Sequence, residues 1–134
     1  MSGLVAELRC ADLGRSLRFY TDVLGFDRRV AAPEHGFAEL GWAGAILRLT
    51  TEAAGGAAGE AGLEYPFGRG VTLIFPTDDA EALCAGAAAY GARLHRPLET
   101  RTPLAAGAPA RSLAFELMDP DGYVLRFVQD LGRS

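Results

Sequence analysis

The chain opens on a period of two. In LVAELRC, Leu4, Ala6, Leu8 and Cys10 fall on one side and Val5, Glu7 and Arg9 on the other, which predicts a strand. The next segment, DLGRSLRFYTDVLG, changes the period. Leu13, Leu17, Tyr20 and Leu24 recur at helical spacing, with Asp12 placed as N-cap and Gly25 as C-cap. Three short strand-like runs follow, FDRRV, GFAEL and AILRLT. The second half repeats the order. VTLIFP (71–76) reads as a strand and DDAEALCAGAAAYG as a helix, with Ala80, Leu83, Ala87 and Tyr90 turned inward. Asp78 and Glu81 have capping-box spacing and Gly91 closes the helix. ARLHRPL, RSLAFELM and YVLRFVQ complete it.

Each half therefore reads β-α-β-β-β, and the predicted class is α+β, with two such modules in one domain spanning 1–134. The first module covers 3–50 and the second 70–130, with a linker over 51–69. Ten of those nineteen linker residues are Ala or Gly, a flexible composition that ends in the aromatic hook Tyr65-Pro66-Phe67. A further loop, ETRTPLAAGAPA (99–110), interrupts the second module.

Four strands with one helix make a sheet covered on one side. Leu47, Leu49, Leu125 and Phe127 are expected beneath the helices. The opposite face then carries Val5, Glu7, Arg9, Ile46, Arg48, Val71, Leu73, Phe75, Val124 and Arg126. It is too apolar for plain solvated surface, yet it holds charges. Two sheets curling toward each other around a cleft would accommodate both, with Arg48 and Arg126 facing inward.

Composition narrows the classes. The 134 residues suffice for one core, and the net charge of −4 without a Lys/Arg run argues against nucleic-acid binding. No apolar stretch is long enough for a membrane span, and the N-terminal run contains Glu7 and Arg9, unlike a signal peptide. Cys10 and Cys84 sit among small apolar residues and are expected to be reduced and structural, in a cytoplasmic protein. A disulfide between them is the alternative.

Together, DLGRSLRFYTDVLGF and FELMDPDGYVLRFV resemble the glyoxalase/bleomycin resistance/dioxygenase superfamily, also called vicinal oxygen chelate proteins, over nearly the whole chain. The resemblance implies paired βαβββ modules and a homodimer whose clefts combine modules from one chain or two. Enzymes of the superfamily hold a divalent metal with His, Glu or Gln on the first and last strand of each module. The matching positions here are Val5, Arg48, Val71 and Arg126, none of which offers a lone pair to a metal. His35 and His95 lie outside any ligand cluster, so neither a metal nor another cofactor is expected.

The expected function is thus a metal-free binding protein of the bleomycin-resistance type, taking a small organic ligand, an antibiotic among the options, in an apolar cleft. The rivals are a metal-dependent lyase, isomerase or dioxygenase, and a metal-free enzyme. In the last, Glu7 acts as base and Arg48 and Arg126 hold an anion; neighbouring arginines would lower the Glu7 pKa and burial would raise it. The arginines themselves have three fates: an ion pair with an internal acid, Glu7 being the nearest, a bidentate grip on a ligand anion, or escape to the cleft mouth. Ligand-binding candidates are Glu7, Phe37, Trp42, Arg48, Tyr65, Phe67, Phe75 and Arg126. Trp42, read in the turn GWAG, either stacks a ligand or packs on the neighbouring module or the dimer partner; Tyr65 and Phe67 either cover the cleft or anchor the crossover. Glu39 and Glu116 depend on hairpin register and receive no role. Ser16 has no neighbouring His/Asp arrangement, so a hydrolytic triad has no support.

Overall fold

A computed structural model describes residues 4–51, 65–102 and 111–132. The first module runs β1 (Val5–Arg9), α1 (Leu13–Arg18), β2 (Asp27–Ala32), β3 (Phe37–Trp42) and β4 (Ala45–Thr50). The second runs β5 (Thr72–Pro76), α2 (Ala80–Ala89), β6 (Arg93–Arg101), β7 (Arg111–Met118) and β8 (Val124–Gly132). Each forms a four-stranded sheet, ordered β1-β4-β3-β2 and β5-β8-β7-β6. In both sheets the first strand pairs parallel to the last and the remaining pairs are antiparallel. The expected two-module repeat is the fold. Most of the linker (52–64) and the loop segment 103–110 lie outside the described residues.

Asp12 caps α1 as expected, its Oδ1 accepting from the Arg15 N–H at 3.1 Å. The helix then widens into a π-helical turn, Phe19–Val23, in which the Leu24 N–H donates to the Phe19 carbonyl. Tyr20 is carried by this turn and is fully buried. Gly25 ends it at φ +88°. In the second module the N-cap is Asp79, which accepts from the Ala82 N–H at 3.0 Å, and not Asp78. Ala80 and Ala87 face inward as expected, joined by Cys84; Leu83 is half-buried, and Tyr90, the C-cap residue, is 69 % exposed instead of packed. Glu99–Arg101, read as loop, extend β6.

Leu47, Leu49, Leu125 and Phe127 lie beneath the helices, all buried. β5 is phased one residue away from expectation. Phe75 is in the core, stacked on Phe127 at 5.5 Å, and Leu73 is half-buried, while Thr72, Ile74 and Pro76 face outward. Its apolar run VTLIFP carries one polar residue, too little to fix the phase of an alternation.

The halves share one core. Phe26 and Trp42 of the first meet Phe75 and Phe127 of the second, with ring centroids 5.3 Å apart for Phe26–Phe75 and for Trp42–Phe127. Trp42 is the last residue of β3, not a turn residue; Ala43 (φ +49°) and Gly44 (φ +85°) make the turn. Its indole N–H donates to the Pro76 carbonyl. Beside this aromatic seam, the β7–β8 turn latches onto the first module. Asp121 accepts from the Ala11 N–H at 3.1 Å and the Ser16 hydroxyl at 3.2 Å. Asp119 accepts from the Tyr20 hydroxyl at 2.6 Å, and the Tyr123 hydroxyl donates to the Arg9 carbonyl at 2.8 Å. Cys10 and Cys84 are both buried free thiols.

Candidate functional site

The faces without a helix carry the chemistry, and each sheet builds its version from a cross-strand pair. Glu39 on β3 lies opposite Arg48 on β4, and Glu116 on β7 lies opposite Arg126 on β8. The same motif stands in both halves, ELGWAGAILRL and ELMDPDGYVLRF. These two glutamates had no assigned role, and they are the principal partners of the two arginines. The recurrence of Glu-Leu ahead of Leu-Arg was the signal available in the sequence.

In the first sheet, Arg48 Nη1 reaches Glu39 Oε2 at 3.4 Å and Arg48 Nε lies 3.5 Å from Glu7 Oε1. Its guanidinium sits over the Phe37 ring, 4.6 Å from the centroid. Glu7, Phe37 and Arg48 are therefore brought together as expected, on an internally paired cluster.

The second sheet is more cationic. The Glu116 carboxylate, 3 % exposed, accepts from Arg126 Nε at 2.7 Å on one oxygen and lies 2.9 Å from His95 Nδ1 on the other. Arg96 Nε stands 3.7 Å from the His95-facing oxygen, and an Arg101 terminal nitrogen 3.9 Å from the other. Glu99 pairs with Arg101 at 3.7 Å. Burial pushes the Glu116 pKa up, but the bonds from His95 and Arg126 and the charges of Arg126 and Arg96 outweigh it and hold the group below its usual range. A bulge in β6 places both His95 and Arg96 against Glu116. Sequence alone places His95 on a strand outside any ligand cluster, and the bulge that turns it toward Glu116 is invisible to a period-two pattern.

The other candidates lie elsewhere. Trp42 and Phe75 belong to the aromatic seam between modules. Phe67 packs on Tyr123, with centroids 6.0 Å apart, and its N–H donates to the Asp121 carbonyl at 2.9 Å, so it anchors the crossover. Tyr65 lines a cavity of about 280 Å³ with Phe19, Tyr90, Arg93, Met118 and Asp119, apart from both arginine clusters.

The metal-ligand positions suggested by the resemblance are tested by register. Val5 pairs with Ile46, two residues before Arg48, and the corresponding pair in the second sheet is Thr72 with Val124. The position equivalent to Val5 is thus Thr72, not Val71. Val5, Arg48, Thr72 and Arg126 do not fit a divalent cation: two guanidiniums would repel it, and a valine and a threonine offer no strong donor. Among the described residues, no three His, Cys, Asp or Glu side chains are grouped to hold a metal ion. No helix there is long and apolar enough to cross a membrane.

Comparisons with known proteins agree with this architecture. The fold matches TioX from Micromonospora sp. ML1 with a TM-score of 0.70, at 21 % identity, covering 98 % of this chain and 100 % of that one. It matches a glyoxalase/bleomycin resistance protein/dioxygenase family enzyme from Burkholderia phytofirmans PsJN with a TM-score of 0.71, at 20 % identity, covering 95 % and 97 %. A protein of unknown function from Agrobacterium tumefaciens str. C58 matches with a TM-score of 0.72, at 22 % identity, covering 98 % and 95 %. No curated protein sequence matches the chain. The family model of the Glyoxalase/Bleomycin resistance protein/Dioxygenase superfamily matches residues 4–127, and the chain belongs to that superfamily.

Proposed function

We propose that the protein is a metal-free small-molecule-binding protein, a homodimer whose ligand cleft is walled by the helix-free faces of the two sheets. One observation carries this reading: those faces carry large apolar side chains that a single chain leaves exposed. Val5 on edge strand β1 is 43 % exposed and Ile74 on edge strand β5 is 57 % exposed. Edge strands with apolar side chains are prone to pair with another chain, and a second copy would cover them. Because Glu39, Glu7 and Glu116 already hold the two arginines, the walls are closed to metal chemistry and open to a neutral or acidic organic ligand. The second sheet sets the preference, with Arg96, Arg101 and Arg126 against Glu99 and Glu116.

Native mass spectrometry should give twice the 14.1 kDa chain mass. Thermal shift should show stabilisation by benzoate and phenylpyruvate and none by bleomycin, a cationic glycopeptide. A ligand at 100 times its Kd adds about 2.7 kcal/mol. Stabilisation by the glycopeptide alone, or a strictly monomeric chain, refutes the reading.

A further inference from the structure

We propose that His95 is the general base of a proton-transfer activity on an anionic carbonyl compound, and that Glu116 positions it. The inference rests on the reading that the helix-free face of the second sheet binds a ligand, and it names that ligand's class and fate.

His95 is the one imidazole in the described residues that a buried carboxylate orients. Its Nδ1 lies 2.9 Å from Glu116 Oε1, and that carboxylate is 3 % exposed while the ring is 47 % exposed. A carboxylate kept ionised accepts a hydrogen bond from the Nδ1–H, which leaves Nε2 as the ring's free end. An oriented, half-open imidazole backed by a buried acid has the geometry of a base–orienter pair. His35 supplies the contrast: its ring lies 4.0 Å from an exposed Glu34 on a surface turn, and among the described residues no buried carboxylate orients it.

The surroundings suit one kind of reaction. Arg126 spends its Nε on Glu116, at 2.7 Å, in the bonds the carboxylate makes, so its terminal nitrogens can serve a ligand. Arg96 stands beside His95 on the same carboxylate oxygen. Guanidiniums next to a base hold a substrate carboxylate and stabilise an oxyanion formed when a proton is removed. The step is proton abstraction from the carbon next to a carbonyl. The C–H bond breaks, the proton moves to Nε2, the C–H electron pair becomes the C=C bond, and the carbonyl π pair moves onto oxygen. The proton then returns to carbon or to the oxygen, giving exchange or tautomerisation. Nothing is oxidised or reduced, and no co-reactant is needed.

Phenylpyruvate in D2O is the probe. Wild type should speed loss of its C3 proton signals over buffer, and His95→Gln, which keeps an amide beside Glu116, should cut that acceleration by about 100-fold or more, the usual contribution of general-base catalysis. Saturation-transfer NMR should show the acid bound to both proteins. In His95→Ala, added imidazole should restore exchange beyond the rate of imidazole alone, a recovery that a merely structural histidine would not give. Equal rates for wild type and His95→Gln, with phenylpyruvate bound to each, overturn the base and leave the binding reading standing. Absence of saturation transfer in both proteins overturns the base and the acidic-ligand reading together.

Discussion

Asp119 offers the sharpest quantitative test of the packing between modules. Its carboxyl is 4 % exposed. Its Oδ2 accepts from the Tyr20 hydroxyl, and its Oδ1 from the N–H groups of Asp121 and Tyr123 at 2.8 and 3.0 Å. Burial is the largest influence and raises its pKa; these three hydrogen bonds lower it, and the nearby Asp121 charge raises it again. The balance leaves Asp119 at about 6, against an ordinary 3.8. A carboxyl whose pKa is higher in the folded than in the unfolded state binds more protons when folded. Its contribution to stability is then complete below the unfolded value and is lost as pH rises through the folded one. The difference of roughly two pKa units corresponds to about 3 kcal/mol at 1.36 kcal/mol per unit. That is a large share of the 5–15 kcal/mol typical of a domain.

Asp119→Asn removes the ionisation while keeping an acceptor for the two N–H groups. Urea unfolding of both proteins between pH 4 and pH 7 isolates the site, because every other titration is common to them. Glu116, whose folded pKa is lowered, contributes stability above its unfolded value and loses it as pH falls, and this opposite slope cancels in the comparison. Part of the loss has already occurred at pH 4, so the variant should gain on wild type by about 2 kcal/mol from pH 4 to pH 7, mostly between pH 4 and 6. A difference that stays flat over this interval would refute the argument, since Asp119 would then ionise alike in both states.

Gly122→Ala and Gly25→Ala form a matched pair. Both glycines have strongly positive φ, +91° and +88°, so the conformational cost is shared. A Cβ at Gly122 would collide with Pro66 Cβ and lie 2.7 Å from its Cα, whereas one at Gly25 meets nothing within 4 Å. Gly122→Ala should therefore be less stable than Gly25→Ala by about 1–3 kcal/mol in chemical denaturation, the cost of overpacking. Glu116→Gln leaves Arg126, Arg96 and Arg101 facing a neutral amide, and should lower stability by about 3 kcal/mol, read from its urea midpoint. Cys10, buried and with its thiol pushed up to about 12 by burial and by the Asp121 charge, should react with a disulfide reagent only after unfolding.

The fold was legible because its periodic segments are bounded by strong signals. Asp12, Gly25 and Gly91 mark helix ends, and AILRLT is β4 to the residue. The errors fall where local pattern loses information. β5 is apolar almost throughout, so its alternation does not say which face Phe75 takes, and packing puts it in the core. Adjacent aspartates, Asp78 and Asp79, offer two caps and the second is used, while Tyr90 falls on the C-cap itself, past the last helical turn, and points to solvent. GWAG suggests a turn at Trp42, but Ala43 and Gly44 make it and Trp42 ends β3.

The site was half legible for a different reason. Alternation placed Glu7 and Arg48 on one face, but it could not say which acid on the neighbouring strand would answer an arginine, because hairpin register decides that. Glu39 and Glu116 became partners only when β3 paired with β4 and β7 with β8. His95 required more still, a bulge that brings two consecutive residues to one glutamate. The segments that carry the resemblance, DLGRSLRFY and DPDGY, serve another purpose. Ser16, Tyr20, Asp119, Asp121 and Tyr123 close one buried hydrogen-bonded latch between the modules. Such a network tolerates little substitution, since each missing partner leaves a buried polar group unsatisfied. It therefore identifies the fold clearly and lies apart from the proposed ligand site, the helix-free faces that carry Arg96, Arg126 and His95.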